Sequence, residues 1–150
     1  MPDLRALLSG RIGYALRLAH EAAQQSFAAA LAGTGLAPVH ADLLMLIGFN
    51  PGIKPSELAD ALARDRSSIT GALHVLQERG LIRREATTRD RRASLLYLTE
   101  AGEEARRFVA AVADAHERLL DRIAGPDEKP RMMALLDRIG AALAEGGAGR

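Results

Sequence analysis

Residues 83–92 read RREATTRDRR, which places five guanidinium groups (Arg83, Arg84, Arg89, Arg91, Arg92) against two carboxylates, Glu85 and Asp90. Arginine presents a planar fork of donors that fits phosphate oxygens and guanine edges, so the chemistry suited to this cluster is anion recognition. Asp90, between Arg89 and Arg91, is out of place in a plain polyanion-binding loop. A charge-assisted bond from Arg91 or Arg92 to that carboxylate would set the arginine's direction in advance. A second group of candidates lies just upstream, in RSSITGALHVLQERG, residues 66–80. Ile69, Ala72, Leu73 and Leu76 fall at i, i+3, i+4 and i+7 and make one apolar helix face. Ser67, Thr70, Gly71 and His74 repeat that spacing on the opposite side, with Arg66 and Ser68 beside them. This outer face is small, polar and nearly uncharged, where a solvated helix would normally carry Glu and Lys. Ser and Thr hydroxyls can bond base edges or phosphates in a DNA major groove. Taken alone, the segment fits equally well an ordinary surface helix with a weak polar face.

The elements that must carry these groups follow from apolar periodicity and from helix breakers. A helix is expected over 4–31, on Leu4, Leu8, Ile12, Ala15, Ala19 and Ala22, until Gly33, Gly35 and Pro38 break the pattern. A short apolar helix over 38–49 ends at the turn Asn50-Pro51-Gly52. The next helix, about 55–63, has Pro55 in its first turn and Glu57 near its positive end. A tight linker, Arg64-Asp65, leads to the candidate helix, with Asp65 as its N-cap and Gly80 as its left-handed stop. Two short helices joined by a tight turn make a helix-turn-helix, whose second member enters the major groove. Leu81–Ala86 and Ala93–Leu98 then flank the polar loop Thr87–Arg92 as a β-hairpin. Such a wing beside a groove-bound helix would put its tip arginines into the flanking minor groove or onto phosphates. Helix, hairpin and charge placement together favour this arrangement over a merely solvated hairpin tip. Thr99 caps a long helix over 100–123, Gly125-Pro126 breaks it, and a final helix spans about 128–144 before a frayed tail, EGGAGR.

Composition narrows the function further. Residues 54–92 hold nine basic and six acidic side chains, a net of +3, while the remainder nets −2, so the small overall charge of +1 hides a basic middle. With no cysteine in the chain, disulfides, thiolate metal sites and thiol redox sensing are excluded. The four histidines, His20, His40, His74 and His116, show no metal-ligand spacing. No glycine-rich phosphate loop, nucleophile elbow or His-Glu metal motif is present, so neither an enzyme nor a cofactor is expected. No apolar run reaches the roughly 20 residues a membrane span needs, and the N-terminus lacks a signal-peptide core, so the chain is read as cytoplasmic. The apolar stripes at 4–22, 108–123 and 132–143 exceed what one small winged core covers, and pairing them across a two-fold axis would bury them.

The stretch DRSSIT, then LQERGLIRR, then DRRASLLYLTEAG, in that order and spacing, resembles the winged helix-turn-helix core of MarR-type transcription regulators. The likeness is close over roughly residues 36–105, and the flanking helices match in placement and length. It implies a mainly α fold: one MarR-like domain over 1–150, with a winged helix-turn-helix core about 36–98, a β-hairpin wing, and dimerisation helices about 4–31 and 100–144. It also implies a homodimer on a pseudo-palindromic double-stranded operator, acting as a sequence-specific transcription regulator. Carried over, Ser67, Ser68 and Thr70 face DNA, Arg66 lies near phosphates, and Asp90, Arg91 and Arg92 form the wing motif with Arg89 beside them. Arg91 is the choice for the minor groove. Many relatives carry a larger, often basic residue where this chain has Gly71, which shifts the readout expected there toward His74.

Regulators resembling this one often act as repressors released from DNA by a small molecule, among them aromatic acids, phenols and acyl-CoA thioesters. Arg11, Tyr14, Arg17 and His20 lie near one another along the first expected helix, and His40 opens the second. They could hold an anionic aromatic effector. Equally, Arg11 and Arg17 could be solvated while Tyr14 fills the subunit interface. The rival function is a dimeric winged-helix module that binds protein rather than DNA.

Overall fold

The computed structural model describes residues 8–86 and 94–147, with side chains described through residue 144. Six helices and one hairpin follow in the order α1 (Ile12–Ala30), α2 (Pro38–Phe49), α3 (Pro55–Ala61), α4 (Arg66–Glu78), β1 (Ile82–Ala86), β2 (Ser94–Leu98), α5 (Glu100–Ala124) and α6 (Lys129–Gly147). The class is the expected one: mainly α, with a single antiparallel hairpin. The chain divides into two compact units, one ending at Ala113 and the other beginning at Asp114, and α5 contributes to both. Among the described residues no helix is long and apolar enough to cross a membrane.

The core of the first unit is built where the sequence puts its apolar faces. Leu43, Leu44 and Ile47 of α2 are buried together with Leu58 of α3, Ile69, Leu73 and Leu76 of α4, and Leu96 of β2. Burying each of these side chains contributes about 1.5–3 kcal/mol, so the inner face of α4 is what holds its outer face at a fixed angle. Pro55 opens α3, and the Lys54 N–H donates to the Glu57 carboxylate at 2.8 Å. The connection into α4 is longer than the two residues expected, running over residues 62–65. α3 stops at Ala61, and Ala63 takes the left-handed conformation (φ +48°) that more often falls to glycine.

β1 and β2 pair in the register Ile82↔Leu98 through Ala86↔Ser94. An isolated bridge, Ile53↔Leu96, joins β2 to the turn before α3, with Gly52 N–H donating to Leu96 C=O at 2.8 Å and Leu96 N–H to Ile53 C=O at 3.1 Å. The hairpin is thereby tied to the start of the helix-turn-helix. Thr99 joins it to α5: its Oγ1 accepts from the Gly102 N–H (3.0 Å) and donates to the Gly80 carbonyl (2.6 Å).

Two further boundaries differ from expectation. The first helix opens at Ile12 rather than at residue 4, because Gly10 sits at φ +81° and Arg11 is extended; Leu4 lies outside the described residues. The last helix runs to Gly147 rather than 144. A glycine stops a helix when it takes the left-handed conformation, as Gly80 and Gly125 do at φ +68° and +77°, whereas Gly146 and Gly147 lie within α6.

In the second unit, Lys129 opens α6 and donates to Asp121 and, at 3.4 Å, to Glu117 of α5. Leu119, Ile123, Met132, Met133 and Leu143 remain exposed there, Ile123 at 73% and Leu143 at 71%. In the first unit α1 buries no residue, and Ile12, Leu18 and Phe108 are exposed too.

Candidate nucleic-acid interface

Helix α4 separates its two faces as the periodicity requires. Ile69, Ala72, Leu73 and Leu76 are buried, while Arg66, Ser67, Ser68, Thr70, Gly71 and His74 are all exposed. Asp65 caps the helix, its Oδ1 accepting from the Ser68 N–H at 2.8 Å. The same carboxylate also takes both serine hydroxyls, Ser67 Oγ at 2.5 Å and Ser68 Oγ at 2.6 Å. These donors hold the Asp65 carboxyl well below the usual carboxylate range, the Ser67 bond first among them. Thr70 Oγ1 donates to the Arg66 carbonyl at 2.8 Å, and His74 Nε2 lies 3.3 Å from Glu78.

The hairpin base is fastened to this helix by Arg84, while Arg83 makes its contacts within the hairpin. Arg84 Nε donates to Gln77 Oε1 at 2.9 Å, and its NH1 to Ser94 Oγ at 3.3 Å. Arg83 lies over the Tyr97 ring, 4.6 Å from its centroid, and pairs with Glu85. Two of the five clustered arginines are therefore engaged at the base of the hairpin. Arg89, Asp90, Arg91 and Arg92 lie outside the described residues. No local signal links Arg84 to Gln77, but the spacing Asp65, Ser67, Ser68 does signal a carboxylate within reach of both hydroxyls. At the far end of α4, Arg79 donates to the carbonyls of Gly35 (2.7 Å) and Thr34 (2.6 Å), which anchors the helix to the α1–α2 connection.

The matching family model, described as the MarR family, spans residues 34–93 of this chain. The solved structure of the transcriptional repressor CouR bound to a 23-mer DNA duplex is 30% identical, covers 89% of this chain and 94% of its own, and superposes with a TM-score of 0.81. The chain belongs to the MarR family. A crystal structure of MarR is 25% identical over 95% of this chain and 97% of its own, with a TM-score of 0.77. In Thauera aromatica, a protein named for transcriptional regulation of the hcr operon is 38% identical over 99 residues, 65% of this chain. This MarR-family chain spans 60% of that relative's length. It is, at the level the family shows, a transcription regulator.

The expected effector residues are less closely gathered than their spacing implied. Arg11 is the N-cap of α1 rather than part of it. Arg17 lies over the Tyr14 ring at 5.2 Å and pairs with Glu21 at 2.7 Å, and His20 is exposed on the same helix. Nδ1 of His40 accepts from the Ala37 N–H at 3.0 Å, which makes it a helix cap. Burial, with the Arg79 guanidinium nearby, holds its imidazole below the ordinary value, and the neutral ring is the form that can accept. The two clefts that line α5 and α6, of about 560 and 250 Å³, include Asp121, Lys129 and, in the smaller, Met132 and Met133, but none of those five residues. Among the described residues no three His, Asp or Glu side chains gather as metal ligands would.

Gly71 decides how near another surface can come to α4. A Cβ built there meets nothing within 4 Å, so the position is an open notch in the middle of the outer face. Gly71→Ala should therefore raise stability by about 1 kcal/mol, the helix-propensity difference with no packing term against it. A thermal melt checks this: a rise of roughly 3 °C is expected for a chain of this size, and a fall would show that the notch is filled.

Proposed function

We propose that this MarR-family chain is a sequence-specific, DNA-binding repressor that works as a homodimer, with 1–150 acting as one domain. A single observation carries the reading. The outer face of α4 is small, hydroxyl-rich and exposed, while its inner face is locked into the core. Arg66, Ser67, Ser68, Thr70, Gly71 and His74 form the major-groove surface, and Arg89, Asp90, Arg91 and Arg92 the wing. CouR, whose structure holds a DNA duplex, supports the same placement. The exposed apolar side chains of α1, α5 and α6 supply the surface for a second copy, since monomers seldom leave patches of this kind in water. Two copies related by a two-fold axis then match a pseudo-palindromic site.

The test is an anisotropy titration with duplex taken from upstream of the chain's own gene, repeated at several salt concentrations. A dimer that neutralises several phosphates should give a log–log slope of roughly −6 or steeper. Affinity that does not change with salt would favour the rival protein-binding module, to which the uncharged Gly71 position lends some support.

Release by a small anionic or aromatic molecule completes the reading, with Arg17 and Tyr14 as its recognition pair and Arg11, His20 and His40 near the same end of the fold's sequence. Titrating benzoate-type acids and their CoA thioesters into the protein–DNA complex tests it. Arg17→Ala should raise the concentration needed for half-release by about tenfold, the loss of one charge-assisted bond. An unchanged midpoint would return Arg17 to its helix-surface pair with Glu21.

A further inference from the structure

The reading helix carries three hydroxyls, and in each the single proton is already committed inward. Ser67 and Ser68 give theirs to the two oxygens of Asp65, and Thr70 gives its own to the Arg66 carbonyl. A hydroxyl has one proton and two lone pairs. With the proton spent, what each oxygen offers a partner is an acceptor. We propose that Asp65 is a positioning residue for DNA readout: it fixes the Ser67 and Ser68 hydroxyls as acceptors and so directs them to the exocyclic amino groups of adenine and cytosine. The inference rests on the DNA-binding reading above and specifies what α4 selects.

On this criterion cytosine is accepted, guanine and thymine are rejected, and adenine is accepted through its amino group although its N7 is an acceptor. In the major groove, adenine N6 and cytosine N4 are donors, whereas guanine O6 and N7 and thymine O4 are acceptors. Phosphate oxygens are acceptors as well, so hydroxyls held in this state are poor backbone anchors. Reversing either serine means breaking a bond to an ionised carboxylate, which is about twice as strong as a neutral one. The carboxylate is itself held, because its Oδ1 also accepts the Ser68 N–H as the helix cap. Beside the hydroxyls, the open notch at Gly71 lets a base edge approach the helix closely. A cap alone would need only the Ser68 N–H bond, and the two further hydroxyl bonds are what bear on sequence choice.

Asp65→Asn separates the two roles. Asparagine caps helices about as well as aspartate, and its single carbonyl oxygen keeps the Ser68 N–H. The other position becomes an NH₂ donor, which cannot take the Ser68 proton. Ser68 then accepts from the amide, and its proton turns outward. The experiment is selection from a pool of duplexes with a randomised centre, using the wild type, Asp65→Asn and Ser68→Ala, with thermal melts to confirm that each variant is folded. The wild type should enrich half-sites with adenine or cytosine at one position in the strand facing Ser68. Ser68→Ala should relax that position by about three- to tenfold, one hydrogen bond's worth. Asp65→Asn should exclude cytosine there and admit guanine and thymine, while the other enriched positions stay. A motif that neither variant moves, or a Ser68-dependent position that prefers guanine or thymine in the wild type, overturns the inference and leaves DNA binding standing. A pool in which the wild type enriches nothing overturns the DNA-binding reading and this inference with it.

Discussion

Gly102→Ala is expected to lower the melting temperature by roughly 10 °C, equivalent to about 3 kcal/mol in a chain of this length. A Cβ at Gly102 would stand 1.9 Å from the Leu81 carbonyl oxygen and 3.3 Å from Leu98 Cβ. No side-chain rotation relieves the first of these, because the obstacle is backbone. The first turn of α5 would have to withdraw from the base of the hairpin. That movement would strain Thr99 N–H to Leu81 C=O (3.1 Å) and the Thr99 Oγ1 bonds to Gly80 and Gly102. Forced overpacking of a well-packed site typically costs 1–3 kcal/mol and occasionally more, and a backbone obstacle belongs at the upper end. The loss of the Thr99 bonds outweighs the propensity gain of alanine over glycine. The check is a pair of thermal melts, Gly102→Ala against Gly71→Ala. The two changes are identical in chemistry and both lie within helices, yet they should move stability in opposite directions. A Gly102 variant that melts with the wild type would mean that the close approach of α5 to β1 is absent.

The second large effect concerns the wing. Arg91→Ala should weaken operator binding by about 2–6 kcal/mol, since a dimer loses two contacts worth about 1–3 kcal/mol each. The loss would be roughly thirtyfold to twenty-thousandfold in Kd at constant salt. Arg84 ties β1 to Gln77 of α4, and the Ile53–Leu96 bridge ties β2 to the turn before α3. Both strands are therefore held relative to α4. Arg84→Ala provides the companion measurement. It removes that fastening without touching the tip, so it should weaken binding less than Arg91→Ala does. Equal affinity for wild type and Arg91→Ala would remove the wing from the interface, and the remaining case for DNA would rest on α4.

Much of this was available from residue order. The two faces of α4, the cap at Asp65, the stop at Gly80 and the break at Gly125 all depend on neighbours within one or two helical turns. Periodicity and capping chemistry decide such features locally, and for them the expected and observed positions agree to within a residue or two. Where expectation failed, the cause was also physical. The apolar spacing of Leu8, Ile12 and Ala15 continues through Ser9-Gly10, but Gly10 is left-handed and α1 opens at Ile12, and a pattern of apolar spacing carries no information about φ.

The candidate site was legible in part. Its members Ser67, Ser68, Thr70 and His74 were marked by what they lack, namely charge on an outer helix face. The partners that restrain them were harder to see. That Ser67 and Ser68 both bind Asp65 is implied by spacing, whereas the joining of Arg84 to Gln77 and of Arg79 to Gly35 is not.

What the order of residues determined by itself, then, was the identity of each element and the face it turns outward, because those follow from interactions between residues a few positions apart. Only the tertiary structure decided which arginines are spent on holding the hairpin and which glycine has no room for a methyl group. Those outcomes depend on the distance between groups far apart in the chain, such as Leu81 and Gly102 or Gly35 and Arg79, and that distance exists only once the helices have packed.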